Sequence, residues 1–220
     1  MDDNLKYQLI SSVPRNNKAH EHKMRLLNTI LVSLIFLFSN QCLLPNSLAA
    51  ASFYDKYYKR DGYEGWKYIV IHHSATDSGS AKAFHKYHTD NGWGGLCYHF
   101  VIGNGNGTPD GVVETGFRWK EQIAGTHCTV NAWEYNFFGI GICLVGNFEK
   151  YKPTEKQIES LLTLVTRFMK LHNIPLNQVI GHKEVPFDND PSRFEATVCP
   201  GKLFPMNEFK RRLKQRLIRE

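Results

Sequence analysis

The 220-residue sequence has few cysteines and no compositional bias, and both shortages restrict what it can be. Five cysteines are too few for a disulfide scaffold of this size. Nine prolines and 17 glycines without a repeat exclude collagen-like and low-complexity chains. Hydrophobic residues make up 42% and charged residues 22%, so a wholly disordered chain is also excluded. These values are ordinary for a globular domain.

The excess of positive over negative charge is also small. The formal net charge is +6, which indicates anionic surroundings without naming them. A basic balance is required for nucleic-acid binding but does not demonstrate it, and we expect no nucleic-acid partner.

The chain lacks an apolar run long enough to span a bilayer. Its longest candidate, residues 30–38, is broken only by Ser33, whereas a membrane-spanning helix needs about 20 apolar residues. Basic residues precede this stretch and small residues follow it at 47–51, which is the layout of a secretory signal. The basic residues are Lys18, Lys23 and Arg25.

Three segments follow from this layout. We expect residues 1–50 to be an extension with a secretory signal peptide, whose true start could be Met24. Residues 51–65 would be a short lead-in, and residues 66–220 a single domain without a linker or repeat. The predicted location is the periplasm, the cell wall or the extracellular space, with no stable membrane insertion after signal removal. An uncleaved anchor is the alternative.

Strand and helix patterns alternate along the predicted domain. Apolar runs predict strands at 68–71, 98–102, 111–114, 140–145 and 179–180. A first helix is predicted over residues 80–91. A second helix begins at Thr154, where Gln157 completes a capping box, and Asn207 is predicted to cap a terminal helix. The glycine-rich run at 103–111 predicts a hairpin turn, because no helix follows it to hold a phosphate. The sequence predicts an α/β fold with a central mixed β-sheet flanked by helices.

Histidines and one cysteine are placed where a metal could be bound. His72 and His73 end a buried strand and His182 follows another, while Cys199 lies in a Thr-Val-Cys-Pro-Gly loop. A catalytic zinc takes three protein ligands from such residues and keeps one open position. Adjacent strand residues point to opposite faces, so at most one of His72 and His73 faces a common site. Ten histidines also produce chance pairings, and spacing alone leaves the metal site open.

Several segments, taken in order, resemble the zinc amidases that include phage T7 lysozyme and the peptidoglycan recognition proteins. They are YIVIHHSAT at 68–76, His88, GW at 92–93, CYHF at 97–100, AGTH at 124–127, GIGICLVGNF at 139–148, GHKEV at 181–185 and TVCPG at 197–201. The resemblance covers residues 66–215, nearly the whole predicted domain. Each segment is modest by itself, but their common order is specific.

The resemblance implies an N-acetylmuramoyl-L-alanine amidase. Such enzymes hydrolyse the amide between the lactyl group of N-acetylmuramic acid and the first L-alanine of the peptidoglycan stem. One zinc ion per chain is implied, held by His72, His182 and Cys199. The implied partners are peptidoglycan or its muropeptide fragments, bound by a monomer.

The resemblance also implies roles around the metal. Tyr98, Thr197 and His127 match catalytic positions, and which of them transfers protons stays open. His88, Trp93 and again His127 match substrate-binding positions. Cys143 stands where some relatives place a catalytic glutamate, so its presence points to the branch that uses a tyrosine.

One departure from the family concerns spacing. His182 and Cys199 are 17 positions apart, against about eight in the relatives, and the extra segment at 186–195 is predicted to be a polar loop. Loops lengthen at small entropic cost, so the two ligands can still converge. The alternative is that a carboxylate replaces Cys199 as a ligand. The candidates are Glu184, Asp188 and Asp190.

Competing interpretations exist for the function, for two histidines and for two cysteines. A peptidoglycan-binding module without catalysis and a zinc peptidase that cuts within the stem peptide are the competing functions. His85 and His88 lie three apart on a predicted helix and could pair around a metal, although a surface or groove role is the simpler interpretation. Cys97 and Cys128 flank Tyr98 and His127, so an exported chain could join them in a disulfide; two unpaired thiols are the simpler expectation.

Overall fold

The computed structural model of the protein describes residues 65–187 and 190–219. The predicted secretory extension at 1–50, with its possible start at Met24, lies outside these residues. The lead-in segment up to residue 64 and Asp188 lie outside them as well. The three-segment division of the chain therefore stays a prediction.

A mixed five-stranded sheet forms the centre, as predicted. The strands are β1 (Tyr68–His73), β2 (Phe100–Ile102), β3 (Val113–Thr115), β4 (Gly139–Leu144) and β5 (Val179–Gly181). Their order is β3-β2-β4-β1-β5, with β2–β3 antiparallel and the other pairs parallel. The glycine-rich run at 103–111 joins β2 to β3, as expected of a hairpin connection. This order puts β1 between β4 and β5, so residues that end β1 have neighbours on both sides.

Among the described residues, five helices accompany the sheet. They are α1 (Ala81–Asp90), α2 (Phe117–Lys120), α3 (Trp133–Phe138), α4 (Glu155–His172) and α5 (Met206–Arg219), with short 3-10 turns at Val130–Ala132, Leu176–Gln178 and His182–Glu184. The capping box of α4 forms as predicted, because Thr154 accepts from the Gln157 backbone and Gln157 reaches back to the Thr154 N–H. Helix α5 begins at Met206, so Asn207 lies inside its first turn and the predicted cap is wrong. Within the described part of the chain, no helix combines the length and apolarity needed to cross a bilayer.

The two faces of the sheet differ in character. Ile69 and Ile71 of β1 and their neighbours on β4 pack with Leu161 of α4 and Phe209 of α5 in one large apolar cluster. Because side chains alternate along a strand, His72 points to the opposite face. The first face thus anchors the sheet in the largest apolar cluster, whereas the opposite face combines His72 with smaller apolar clusters that include Val70 and Val101.

The long segment before Cys199 contains a small β-hairpin, so the prediction of a polar loop at 186–195 is wrong. Strands β6 (Pro186–Phe187) and β7 (Asp190–Phe194) pair antiparallel. The Arg193 guanidinium lies 4.8 Å from the Phe187 ring centroid, a cation–π contact across the pair. The inserted residues therefore form a compact arm.

Candidate metal centre

The three residues predicted to bind metal lie together at one end of the central strands. His72 is the penultimate residue of β1, His182 follows the paired strand β5, and Cys199 comes from the loop before α5. One ligand atom from each lies within 4.8 Å of the other two. The Cys199 sulfur is 3.7 Å from His72 Nδ1 and accepts the His73 N–H at 3.3 Å. Two imidazoles and a thiol are a donor set that suits zinc, and three protein ligands leave a fourth position open.

The extra residues between His182 and Cys199 do not separate them. The Lys183 N–H donates to the Cys199 carbonyl at 2.7 Å, which docks the cysteine loop beside the turn that carries His182. Thr197 Oγ1 accepts the Cys199 N–H at 3.2 Å and so shapes the same loop. The two ends of the inserted arm therefore lie side by side.

Two of the carboxylates that could replace Cys199 are engaged elsewhere. Glu184 accepts the Gly181 N–H at 2.6 Å, and Asp190 accepts the backbone N–H of Ser192 at 2.9 Å and its hydroxyl at 2.7 Å. Neither belongs to a cluster of metal-binding side chains among the described residues. The third carboxylate, Asp188, lies outside the described residues.

A second histidine stands behind His72. His127 Nδ1 is 3.0 Å from His72 Nε2, and His127 Nε2 is 3.3 Å from the Gly139 carbonyl. Burial lowers the pKa of His127 to about 3, so the ring is neutral and carries one proton. That proton must be on Nε2, because a carbonyl only accepts. His127 Nδ1 therefore accepts a hydrogen bond from His72 Nε2–H. The unprotonated His72 Nδ1 then faces the Cys199 sulfur.

Two glycines make room for His127. A Cβ at Gly141 would lie 2.3 Å from His127 Cδ2, and a Cβ at Gly125 would lie 2.4 Å from the same atom. Both distances are far below van der Waals contact. The imidazole therefore fits behind His72 only because neither position carries a side chain.

His182 has a carboxylate behind it, which sequence reasoning missed. Glu195 Oε2 lies 2.5 Å from His182 Nε2, and Oε1 accepts the Thr129 N–H at 2.8 Å and its hydroxyl at 2.9 Å. Glu195 is only 4% exposed. Burial alone would raise its pKa, but the hydrogen bonds from His182 and Thr129 outweigh burial and lower it. Glu195 stands in the segment that the sequence presents as a polar loop, where no spacing rule relates it to His182.

A row of aromatic rings leads from His72 to the surface. The ring centroids are 5.2 Å apart for His72 and Tyr98, 5.7 Å for Tyr98 and His88, and 5.3 Å for His88 and Trp93. Trp93 is 47% exposed, whereas His88 is buried. Burial, reinforced by the neighbouring Cys143, raises the pKa of Tyr98 well above its ordinary value, so its hydroxyl stays protonated.

The two histidines of α1 accept hydrogen bonds from backbone N–H groups and do not form a metal site with each other. His85 Nδ1 accepts the Leu96 N–H at 3.2 Å, and His88 Nδ1 accepts the Cys97 N–H at 3.1 Å. Burial lowers the pKa of His88 to about 4, so it stays a neutral acceptor. Together they fix the segment that leads into Tyr98.

Only one histidine of the β1 pair faces the cluster, as strand alternation predicts. His73 lies on the opposite face, where its Nδ1 accepts the Phe148 N–H at 3.1 Å. Its side chain supports the loop after β4, while its backbone N–H contacts the Cys199 sulfur.

The predicted disulfide between Cys97 and Cys128 is not formed; all four cysteines of the described residues are free thiols. The Cys97 sulfur contacts the Gly95 carbonyl at 3.8 Å, whereas the Cys128 sulfur lies 3.3 Å from His127 Nδ1. The two side chains have different neighbours, so two unpaired thiols describe the structure.

Sequence and structure comparisons agree on one family. The family model described as N-acetylmuramoyl-L-alanine amidase matches residues 62–202. A peptidoglycan recognition protein of Trichoplusia ni is 27% identical over 135 residues, which are 57% of this chain and 68% of the relative. The endolysin of Escherichia phage T7 is 32% identical over 109 residues, which are 46% of this chain and 65% of the endolysin.

The fold has solved counterparts. The amidase LysC from Clostridium intestinale URNW superimposes with a TM-score of 0.56 at 29% identity, covering 68% of this chain and 86% of LysC. The chain spans a smaller part of some curated relatives, 48% and 36% of two peptidoglycan-recognition proteins of Drosophila melanogaster.

Proposed function

The chain belongs to the N-acetylmuramoyl-L-alanine amidase family, and from this membership we propose that it is a zinc-dependent hydrolase of peptidoglycan. The bond cleaved is the amide between N-acetylmuramic acid and the first L-alanine of the stem peptide. The observation that carries the proposal is the convergence of His72, His182 and Cys199 within 4.8 Å.

The ligand atoms suit zinc in their chemical type and in their protonation state. Burial, reinforced by the neighbouring imidazoles, lowers the pKa of His72 well below its ordinary value, so the ring is neutral, as a metal ligand must be. Burial raises the pKa of the Cys199 thiol to about 12 in the metal-free protein, and a bound cation would favour the thiolate. Zinc, when bound, polarises a carbonyl oxygen and makes water nucleophilic at neutral pH.

The surrounding residues supply the rest of the proposed chemistry. Hydrolysis of an amide requires a proton on the departing nitrogen, and a protonated hydroxyl near the scissile bond can donate a hydrogen bond there. Tyr98 fits that role, since it is protonated and its ring lies 5.2 Å from the His72 ring. Thr197 is partly exposed at the cysteine loop and positions Cys199 through its backbone.

The substrate would enter along the row of aromatic rings. Trp93 is exposed at its outer end, while Tyr98 lies at its inner end beside His72. His88 stands between them but is buried and bonded to backbone, so it supports this surface from below. We propose peptidoglycan or its muropeptide fragments as the ligand.

A peptidoglycan-binding module without catalysis is the second candidate. The relatives include a peptidoglycan recognition protein, whose name describes recognition alone. The complete donor set and Tyr98 favour the enzyme, since binding a glycopeptide requires neither a buried thiol nor two oriented imidazoles.

Product analysis tests the proposal. Purified peptidoglycan is incubated with the full chain and the soluble products are identified by mass spectrometry, with a chelator-treated sample and a zinc-restored sample as controls. We expect stem peptides with a free L-alanine amino group and glycan with a free lactyl carboxyl. Stem peptides cut internally would indicate a peptidase, and co-sedimentation without products would indicate the binding module.

Action on the intact polymer also requires export, because the polymer lies outside the cytoplasm. Residues 1–50 would supply the secretory signal. Fractionation of cells that express the chain, with N-terminal sequencing of the exported product, should find the mature protein outside the cytoplasm and beginning near residue 50.

A further inference from the structure

We infer that Glu195 is a positioning residue that fixes the orientation and tautomer of His182, so that this imidazole presents Nδ1 to the metal. The inference rests on the proposed zinc site. It assigns a function to the inserted arm, since Glu195 directly follows β7 (Asp190–Phe194).

The contacts of Glu195 divide its two oxygens between two tasks. Oε1 accepts both the N–H and the hydroxyl of Thr129, at 2.8 and 2.9 Å, and this anchors the carboxylate. Oε2 is left for His182 Nε2 at 2.5 Å. A carboxylate only accepts, so Nε2 carries a proton and Nδ1 is the nitrogen left to face the metal. Carboxylates that accept from a ligand imidazole fix its tautomer and raise its basicity.

The same loop supports both histidine ligands. His127 fixes His72 through its ring, and Thr129, two residues later, fixes Glu195 and through it His182. Each imidazole ligand thus has one ring nitrogen occupied by a protein group. The two supports differ in chemistry, since one is a neutral imidazole and the other a buried carboxylate.

Glu195 could instead be a ligand, because Cys128, His182 and Glu195 also place one atom each within 4.8 Å of one another. The separation of Glu195 Oε2 from His182 Nε2 argues against this. At 2.5 Å it is a short direct hydrogen bond, whereas two ligands on one zinc, each about 2.0–2.2 Å from it, stand farther apart at tetrahedral angles.

The first test reads the tautomer directly and needs neither metal nor turnover. Long-range proton–nitrogen NMR of the metal-free full chain should show His182 protonated on Nε2. In Glu195→Ala this preference should disappear. In Glu195→Gln the side-chain carbonyl can still accept, so the Nε2–H tautomer should persist. A wild-type His182 that carries its only proton on Nδ1 would overturn the inference.

The second test measures zinc affinity by chelator competition. Glu195→Ala should weaken zinc binding by about 10- to 100-fold, and Glu195→Gln by less. Asp190→Asn is the matched control, because it alters a carboxylate of the same arm that, among the described residues, accepts hydrogen bonds from Ser192; the zinc affinity of this variant should stay within about twofold of wild type. Cys199→Ser is the reference for loss of a ligand.

The outcomes separate this inference from the proposed function. Wild-type affinity in Glu195→Ala would overturn the positioning role, and a loss as large as that of Cys199→Ser would make Glu195 a ligand, which also overturns it. If Glu195→Ala does not fold, Glu195→Gln and the wild-type tautomer decide the matter. Absence of amidase products with both results as expected would refute the proposed reaction and leave the role of Glu195 intact.

Discussion

His127 Nδ1 accepts a hydrogen bond from His72 Nε2 at 3.0 Å, and this contact decides which nitrogen of His72 faces the Cys199 sulfur. The chain of donors runs from His72 to His127 and ends on the Gly139 carbonyl. Turning the His72 ring would break its hydrogen bond to His127, and a buried polar atom left unpaired costs about 1–3 kcal/mol. The orientation of His72 is therefore set by the protein itself.

The first prediction concerns the thiol ligand. Cys199→Ser should weaken zinc binding by more than about a hundredfold, because loss of a residue that merely supports a ligand already costs about 10- to 100-fold. Cys128→Ser is the matched control: it removes a neighbouring thiol that belongs to the other candidate clusters. Metal analysis after dialysis measures both. If Cys128→Ser lost zinc and Cys199→Ser kept it, the metal would be assigned to one of the clusters that contain Cys128.

The second prediction tests the space that Gly141 leaves for His127. Gly141→Ala should displace the imidazole, since the new Cβ would lie 2.3 Å from His127 Cδ2, and should destabilise the fold by about 1–3 kcal/mol. In a His127→Ala background that space is free, so the same substitution should cost much less. Urea unfolding of the wild type, the two single variants and the double variant gives the coupling. Additive losses would contradict the steric account.

The third prediction separates catalysis from metal binding. Tyr98→Phe removes one hydroxyl, so zinc content should persist while turnover falls by about a hundredfold or more. Tyr87→Phe, at a tyrosine that is 58% exposed, should leave turnover unchanged. Full activity in Tyr98→Phe would reduce Tyr98 to a packing residue.

The fourth prediction concerns pH. Burial lowers the pKa of His72, takes that of His88 to about 4 and that of His127 to about 3, whereas unfolded histidines titrate near 6.5. At pH values between the folded and the unfolded pKa, these histidines bind protons in the unfolded chain but not in the folded chain. The free energy of unfolding of the metal-free protein should therefore fall as pH drops from about 6.5 to 4, by up to about 1.4 kcal/mol per pH unit for each histidine.

Urea titrations at pH 7, 6 and 5 measure this slope. His127→Ala should reduce the slope of unfolding free energy against pH by the contribution of about one proton, because one buried neutral imidazole is removed. Stability that is unchanged or higher at pH 5 would contradict the prediction.

The sequence was informative wherever periodicity or order along the chain carries the information. Alternation in β1 places His72 and His73 on opposite faces, and the Thr154 capping box fixes the start of α4. The ordered motifs predicted which three residues converge, although they are distant along the chain. These features depend on local geometry or on a pattern shared with relatives.

Contacts made by the inserted arm could not be predicted in this way. Glu195 is a charged residue in a polar stretch, and its burial against His182 and Thr129 depends on how the β6–β7 hairpin folds back. The placement of His127 behind His72 was also out of reach, because it depends on the absence of side chains at two glycines on different segments. Both are properties of tertiary packing.

The order of the central strands has a consequence for biosynthesis. β1 is made early, yet its two sheet partners, β4 and β5, are made much later, and Cys199 follows His72 by 127 positions. A nascent chain that has not yet emerged beyond Cys199 holds His72 without its sulfur partner and β1 without a complete sheet. Contacts so distant along the chain form late and slowly. The proposed hydrolase is therefore expected to stay inert until Cys199 has been synthesised and has met His72.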